Sequence, residues 1–133
     1  MKTLFVVSCT KSKAWDNDKA APRLLPAQEA YTGSVMKEWL ASPESKTEKW
    51  LILSAKFGLI EPDLPIPFYD VTWNDPSSGP LPKERVAEQI REQKLSEFER
   101  VVVRCGRNPH YCGAIRKGYA AANPASLVEC GCP

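Results

Sequence analysis

The segment Leu4-Phe5-Val6-Val7-Ser8-Cys9-Thr10-Lys11-Ser12-Lys13 joins a short apolar run to a polar, cationic turn. A continuous apolar run that includes β-branched residues and has polar residues on both sides is typical of a parallel strand covered on both faces. Two later segments share the pattern: Trp50-Leu51-Ile52-Leu53 and Val101-Val102-Val103. The sequence therefore predicts a central, mostly parallel sheet.

Helical patterns lie between the predicted strands. The apolar stripes are Val35, Met36, Trp39 and Leu40 in the first helix, and Val86, Ala87, Ile90 and Phe98 in the second. The first helix is predicted to end near Ser42-Pro43, and the second to begin near Pro82. A third is predicted from Asn108-Pro109, with Asn as its N-cap, to Ala122, followed by a last strand over Ser126 to Glu129. This alternation predicts a small three-layer, Rossmann-like α/β fold with right-handed crossovers.

Length and charge restrict the classes of protein to consider. The chain has 133 residues, and we expect residues 1–133 to form a single α/β domain. Eighteen Lys and Arg against sixteen Asp and Glu give a net charge of +2, which is too weak to attract nucleic acid in general. No apolar run is long enough to cross a bilayer, so we expect a cytoplasmic protein without a membrane partner. Composition does not predict an oligomeric state.

The segment from Ala55 to Leu81 is long and rich in proline for a loop in a compact domain. Its large apolar side chains are Phe57, Leu59, Ile66, Phe68, Tyr69 and Trp73. Because a disordered loop would leave these side chains in water, we expect Pro62 to Trp73 to be ordered and to pack partly over the functional cleft.

The residues that follow each predicted strand indicate where a ligand binds, because ligands of open α/β sheets lie outside the carboxyl ends of the strands. The second and third strands are followed by Ser54-Ala55-Lys56-Phe57-Gly58 and by Arg104-Cys105-Gly106-Arg107-Asn108. Together with the first turn they bring hydroxyls, thiols and five cations to one edge, which suits a phosphate or carboxylate. The predicted ligand-binding residues are Ser8, Thr10, Lys11, Lys13, Tyr31, Ser54, Tyr69, Arg104 and Arg107. Solvated strand ends are the alternative.

Three side chains are candidates for a chemical step: Cys9, Lys56 and Asp70. Cys9 lies among predicted cations, which favour the nucleophilic thiolate, although a small side chain in a tight turn explains it equally well. Lys56 follows an apolar strand, so we expect its stem to be packed and its ammonium to be directed into the cleft. Tyr31, Tyr69 and Trp73 offer flat surfaces on which a nucleobase can stack, or else they belong to the core.

Cofactor and metal motifs are missing. Neither the Gly-x-x-x-x-Gly-Lys-Ser/Thr spacing nor Gly-x-Gly-x-x-Gly is present, so we predict no cofactor. The cysteines number five, Cys9, Cys105, Cys112, Cys130 and Cys132, and this odd count predicts reduced thiols. The alternative is a zinc site formed by the last four cysteines and His110. Paired Cys-x-x-Cys ligands are absent, however, and we predict no metal.

Four blocks of the sequence resemble a known family in order and spacing. The blocks are Ser8-Cys9-Thr10-Lys11-Ser12-Lys13, Tyr31-Thr32-Gly33-Ser34, Leu53-Ser54-Ala55-Lys56-Phe57-Gly58-Leu59 and Pro67-Phe68-Tyr69-Asp70. Over about the first 75 residues the chain is similar to domain-of-unknown-function family 6884, small bacterial and phage proteins; its Cys-rich end departs from that pattern. The resemblance implies a Rossmann-like fold and a polar site formed by the Cys-x-Lys-x-Lys turn, the tyrosine before the first helix and the Ser-Ala-Lys turn. The Ser-Cys-Thr-Lys block is more distantly similar to archaeosine synthase-like domains, which modify a deazaguanine base in RNA.

Two functions remain open at the level of sequence. One is an enzyme that acts on a nucleotide-like or nucleic-acid-borne base, with lysines holding the phosphate and Cys9 or Asp70 in the chemical step. The other is a non-catalytic module in which the same residues bind an anion for regulation or for an interaction between phage and host. Replacing Cys9 or Asp70 distinguishes them, because only an enzyme loses turnover while it retains its ligand.

Overall fold

The computed structural model describes residues 2–106 and 108–130, which form seven strands and six α-helices. The strands are β1 (Thr3–Ser8), β2 (Leu25–Pro26), β3 (Lys49–Ser54), β4 (Gly58–Ile60), β5 (Pro65–Ile66), β6 (Arg100–Arg104) and β7 (Leu127–Cys130). The α-helices are α1 (Ala14–Asn17), α2 (Ala27–Ala30), α3 (Ser34–Ala41), α4 (Glu44–Thr47), α5 (Glu84–Glu92) and α6 (Pro109–Ala122). Two 3₁₀ turns cover Pro76–Ser78 and Leu95–Glu97. None of the helices in this part of the chain is both long and apolar enough to cross a membrane.

Five of the strands form one mostly parallel sheet in the order β4-β3-β1-β6-β7. β1 lies at its centre, where Val6 is opposite Leu51 of β3 on one side and Val103 of β6 on the other. β7 pairs parallel to β6, and only β4, at the far edge of this sheet, runs antiparallel to its neighbour. The predicted α/β class and mostly parallel central sheet are confirmed.

The continuous apolar pattern of β1 arises because both faces of the strand are covered. Leu4 and Val6 belong to a core that includes residues of α5 and α6, whereas Phe5 and Val7 belong to a second core that includes residues of α2 and α3. Successive side chains of a strand point to opposite faces, so each face of β1 needs its own apolar residues. This double burial holds the carboxyl end of β1 between two packed layers of side chains.

The predicted principal elements are present, with one correction. α6 begins at Pro109 and ends at Ala122 as predicted, and the Asn108 side chain caps it by accepting a hydrogen bond from the His110 amide (3.1 Å). The second predicted helix, α5, ends too early to include Phe98. Lys94 adopts a left-handed φ of 58°, which a helix interior does not accommodate, and Phe98 packs against the core from the following loop.

The proline-rich segment contains strands that its sequence did not predict. β4 returns along β3, and β5 pairs with β2 in a two-stranded sheet in which Ile66 lies opposite Leu25. Ile66, Tyr69 and Trp73 are buried, so the segment is packed as predicted, but none of residues 62–73 lines the cleft at the carboxyl ends of β1 and β6.

The prediction of reduced thiols is wrong for Cys112 and Cys130. Cys112 in the first turns of α6 and Cys130 at the end of β7 form a disulfide, with Cα atoms 6.1 Å apart. The reason is topological: β7 lies beside β6, α6 connects them, and the two cysteines are thereby brought together across 18 residues. Cys132 lies outside the described residues. Within residues 2–106 and 108–130 no group of three or more His, Cys, Asp or Glu side chains is arranged to hold a metal ion.

Candidate functional site

A cleft of about 860 Å³ opens at the carboxyl ends of β1 and β6. Within the sheet, β3 and then β4 follow on one side of β1, and the chain later continues with β6 and β7 on the other side of β1. The strand order therefore reverses between β1 and β6. This reversal is the usual ligand position in open α/β sheets. The residues that line the cleft are Ser8, Cys9, Thr10, Lys11, Ser12, Gly33, Ser34, Val35, Glu38, Trp39, Ser42, Glu44, Arg104, Cys105, Gly106 and Asn108. We refer to this space as the anion cleft.

The start of α3 lies against the anion cleft, where Gly33, Ser34 and Val35 are part of the lining. The Gly33 amide donates to Thr10 Oγ1 (3.1 Å), and no side-chain hydrogen bond caps the helix itself. The first N–H groups of a helix lack partners within the helix, and they favour a negative ligand. Gly33 is required for this arrangement, because a Cβ at that position would lie 2.6 Å from the Cβ of Thr10.

Charges of both signs surround the anion cleft. Lys11 and Arg104 are exposed cations in its lining, and Glu38 and Glu44 are exposed carboxylates in the same lining. Trp39 also lines the cleft, and its indole Nε1–H is buried without a hydrogen-bond partner in the described structure. Unpaired buried donors are rare, and an ordered water molecule is the usual partner of such a group.

A second group of polar residues is buried beside the cleft; we call Lys13, Tyr31, Ser54 and Tyr69 the tyrosine cluster. The Tyr31 and Tyr69 hydroxyls share a short hydrogen bond, and the Tyr69 hydroxyl is 2.7 Å from Ser54 Oγ. Ser54 Oγ accepts hydrogen bonds from the amides of Lys56 and Phe57, both at 3.1 Å. Because these two amides use its acceptor capacity, Ser54 donates its own proton to Tyr69.

Lys13, and not Lys56, is the buried lysine of the site, which corrects the prediction made for Lys56. Lys13 is only 4% exposed; its Nζ lies 4.9 Å from the centre of the Tyr69 ring and donates to the Lys11 carbonyl (3.1 Å). Lys56 is exposed, with Nζ 5.7 Å from the same ring. The cause is a backbone bridge between Lys13 and Tyr31, which pulls the turn after β1 inward. Burial lowers the pKa of Lys13, and the neighbouring Asp16, Asp70 and Cys9 oppose this shift.

Cys9 lies between the anion cleft and the tyrosine cluster. It lines the cleft, its amide donates to the Leu53 carbonyl (2.9 Å), and its thiol donates to the Tyr111 hydroxyl at 3.5 Å. Burial raises the pKa of Tyr31, Tyr69 and Tyr111 above the ordinary value, and the nearby Cys9 raises each of them further.

The structure divides what the sequence predicted as a single cleft. Ser8, Cys9, Thr10, Lys11 and Arg104 line the anion cleft, whereas Lys13, Tyr31, Ser54 and Tyr69 form the buried cluster. Lys56 and Asp70 are exposed, and neither lines the anion cleft. Arg107 lies outside the described residues.

The sequence did not indicate some residues of the site. The predicted site contains neither Tyr111 nor Trp39. Tyr111 belongs to no recognised sequence motif, and the position of Trp39 in the apolar stripe of its helix predicts only a core residue. The ring of Tyr111 packs against Trp73, with ring centres 4.9 Å apart, and this contact positions its hydroxyl near Cys9. Neither contact follows from local sequence.

The fold and the site together define an α/β protein with a polar cleft at the carboxyl edge of a mostly parallel sheet. The chain belongs to the Family of unknown function (DUF6884), whose model matches residues 4–129. It is 30% identical over 109 residues to the "Uncharacterized protein YfjM" of Bacillus subtilis (strain 168), which corresponds to 80% of this chain and 71% of that relative. No solved structure gives a significant match. The family match extends well beyond the first 75 residues, which contain the four similar blocks.

Proposed function

We propose that this protein binds a phosphate-bearing nucleotide, free or within a nucleic acid, and acts on its base, with the phosphate in the anion cleft. The observation that carries the proposal is the position of this cleft where the strand order reverses, lined by Lys11, Arg104 and the uncapped first turn of α3. Such a position, with backbone amides and cations together, is how α/β proteins bind phosphate. We also infer that the helices on the two faces make the fold a three-layer, Rossmann-like one.

The same cleft offers a reactive group to the bound ligand. Cys9 contributes to the lining beside Lys11, and its sulfur is within hydrogen-bond distance of the Tyr111 hydroxyl. A thiol that is accessible from a cationic cleft and has a hydroxyl partner suits addition to an electrophilic ring carbon of the base, in which the S–C bond forms as a ring double bond breaks and the thiol proton passes to the adjacent ring atom. In this enzyme Cys9 is the reacting group and Tyr111 orients it.

A non-catalytic anion-binding module is the second candidate, and the tyrosine cluster favours it. The hydroxyls of Tyr31, Ser54 and Tyr69 bond to one another and to backbone amides, which is how a buried polar network stabilises a fold. If that network is purely structural, the cleft binds a phosphate-bearing ligand for regulation or for an interaction between phage and host.

Calorimetric titration with adenosine 5′-monophosphate and with short oligonucleotides tests the binding. Lys11→Ala and Arg104→Ala should each weaken the affinity by roughly 10- to 100-fold, the range for a lost hydrogen bond to a charged group. The matched control is Lys117→Ala, which removes an exposed lysine on α6 outside the cleft. Equal affinity of all three variants and the unaltered protein would refute a phosphate site in this cleft.

Cys9→Ser then separates an enzyme from a binding module. The variant should bind the nucleotide as before because the cations are intact. Mass spectrometry of nucleotides and oligonucleotides after incubation with the protein measures turnover. Mass spectrometry of the denatured protein sample identifies any ligand that was retained through purification. Product formed by the unaltered protein and abolished in Cys9→Ser identifies an enzyme; unchanged ligand with both proteins identifies a module.

A further inference from the structure

The aromatic side chains that the sequence offered for base stacking are not available to a ligand. Tyr31, Tyr69 and Trp73 are 2%, 4% and 6% exposed. Phe68, the residue before Tyr69, is instead 51% exposed. A ligand that needs a flat apolar surface next to the tyrosine cluster therefore meets Phe68.

The exposed Phe68 ring is braced rather than isolated. Its centre lies 6.0 Å from that of Trp15, and the ring planes are inclined by 75°, an edge-to-face contact. Trp15 is itself held by a hydrogen bond from its Nε1 to the Pro22 carbonyl (2.8 Å). Pro67 before Phe68 and the buried Tyr69 after it restrict the backbone on both sides. An aromatic surface that is held in place before binding loses little entropy when a ligand stacks on it.

Phe68 is also linked to the anion cleft through Lys13. Lys13 Nζ lies 6.0 Å from the centre of the Phe68 ring and donates to the carbonyl of Lys11, which lines the cleft. Two contacts, the second of them to the backbone of Lys11, therefore link the exposed ring to the lining of the cleft. A nucleotide carries its base and its phosphate on one sugar, so it is able to reach both surfaces.

We propose that Phe68, braced by Trp15, stacks on the base of the nucleotide whose phosphate occupies the anion cleft, and that this base is unpaired. The proposal rests on the proposed function. A base within a duplex is covered on both faces by its neighbours, so only a single-stranded or flipped-out base can stack on Phe68.

Titration with two ligands that share the phosphate but not the base tests the proposal. Phe68→Ala should bind ribose 5-phosphate like the unaltered protein and should bind adenosine 5′-monophosphate about 5- to 150-fold more weakly, the range for loss of one base–aromatic stack. Phe68→Trp should retain the affinity for the nucleotide. Leu64→Ala is the matched control, because Leu64 is another exposed apolar side chain (42%) of the same loop region.

The outcomes separate this proposal from the proposed function. If the unaltered protein binds neither ligand, the phosphate site is refuted, and the stacking proposal fails with it because no nucleotide is bound. If it binds both and Phe68→Ala binds the nucleotide equally well, the stacking surface alone is refuted. Sedimentation of the same variants tests whether a second copy of the chain, and not a base, covers Phe68. Self-association that Phe68→Ala abolishes would assign Phe68 to contact between copies of the chain and overturn the proposal.

Discussion

The anion cleft and the tyrosine cluster lie at the same edge of one sheet and are joined by Cys9, yet they differ in almost every physical respect. The cleft is open, its cations are exposed and the first turn of α3 is uncapped. The cluster is buried, and its three hydroxyls are paired. Polar groups in the cleft are able to bond to a ligand, whereas polar groups in the cluster form hydrogen bonds with one another and with the backbone. We therefore expect changes in the cleft to alter binding and changes in the cluster to alter stability.

The largest expected difference is between two adjacent aromatic residues. Tyr69→Ala should lower the free energy of unfolding by about 3–5 kcal/mol, because it removes a buried ring and the partner of two hydroxyls. Phe68→Ala, the exposed neighbour, should lower it by less than about 1 kcal/mol. Urea denaturation measures both. Similar losses in the two variants would contradict the division into a buried cluster and an exposed surface.

Removal of one hydroxyl from the cluster should have an intermediate effect. Ser54→Ala leaves the Lys56 and Phe57 amides and the Tyr69 hydroxyl without their partner, at a cost of about 1–3 kcal/mol in urea denaturation. Ser34→Ala, an exposed hydroxyl in the lining of the cleft, is the control and should change stability by no more than about 0.5 kcal/mol. An equal effect of the two variants would show that the cluster is not a stabilising network.

Alkaline titration tests the burial of the tyrosine hydroxyls. Burial raises the pKa of Tyr31, Tyr69, Tyr111 and Tyr119, which are all four tyrosines of the chain. The unfolded chain therefore releases these protons near pH 10 and the folded protein does not, so stability falls as the pH rises above about 10. Absorbance at 295 nm should stay flat through pH 10 and rise in one step with unfolding. A gradual rise near pH 10 in folded protein would contradict burial of these hydroxyls.

The smallest expected effect concerns Lys13. Its pKa in the folded protein is lowered from 10.5, so between the lowered value and 10.5 the unfolded chain binds more protons and stability rises with pH. Lys13→Met keeps the apolar stem and should remove this rise, while changing stability at pH 7 by no more than about 1.5 kcal/mol. Urea denaturation between pH 7 and 10 measures the slope. An unaltered slope in the variant would show that Lys13 is not the group responsible.

Local sequence predicted the main strands and α6 because their signals are local. Apolar runs define the strands, and Asn108-Pro109 defines the start of the last helix. The position of the cleft also followed from sequence, since the turns after parallel strands meet at the carboxyl edge of the sheet. The assignment of buried and exposed lysines did not, because it depends on the backbone bridge between Lys13 and Tyr31. The disulfide likewise depends on the register of β7 against β6, which no local pattern contains.

The most direct test of the account is a crystal structure with bound adenosine 5′-monophosphate. We predict that its phosphate lies in the anion cleft against the first turn of α3, within hydrogen-bond distance of Lys11 or Arg104. The tyrosine cluster should be unchanged and closed to the ligand. A phosphate bound beside Lys56 with the cleft unoccupied, or a ligand that inserts between Tyr31 and Tyr69, would contradict the assignment of binding to the cleft and of stability to the cluster.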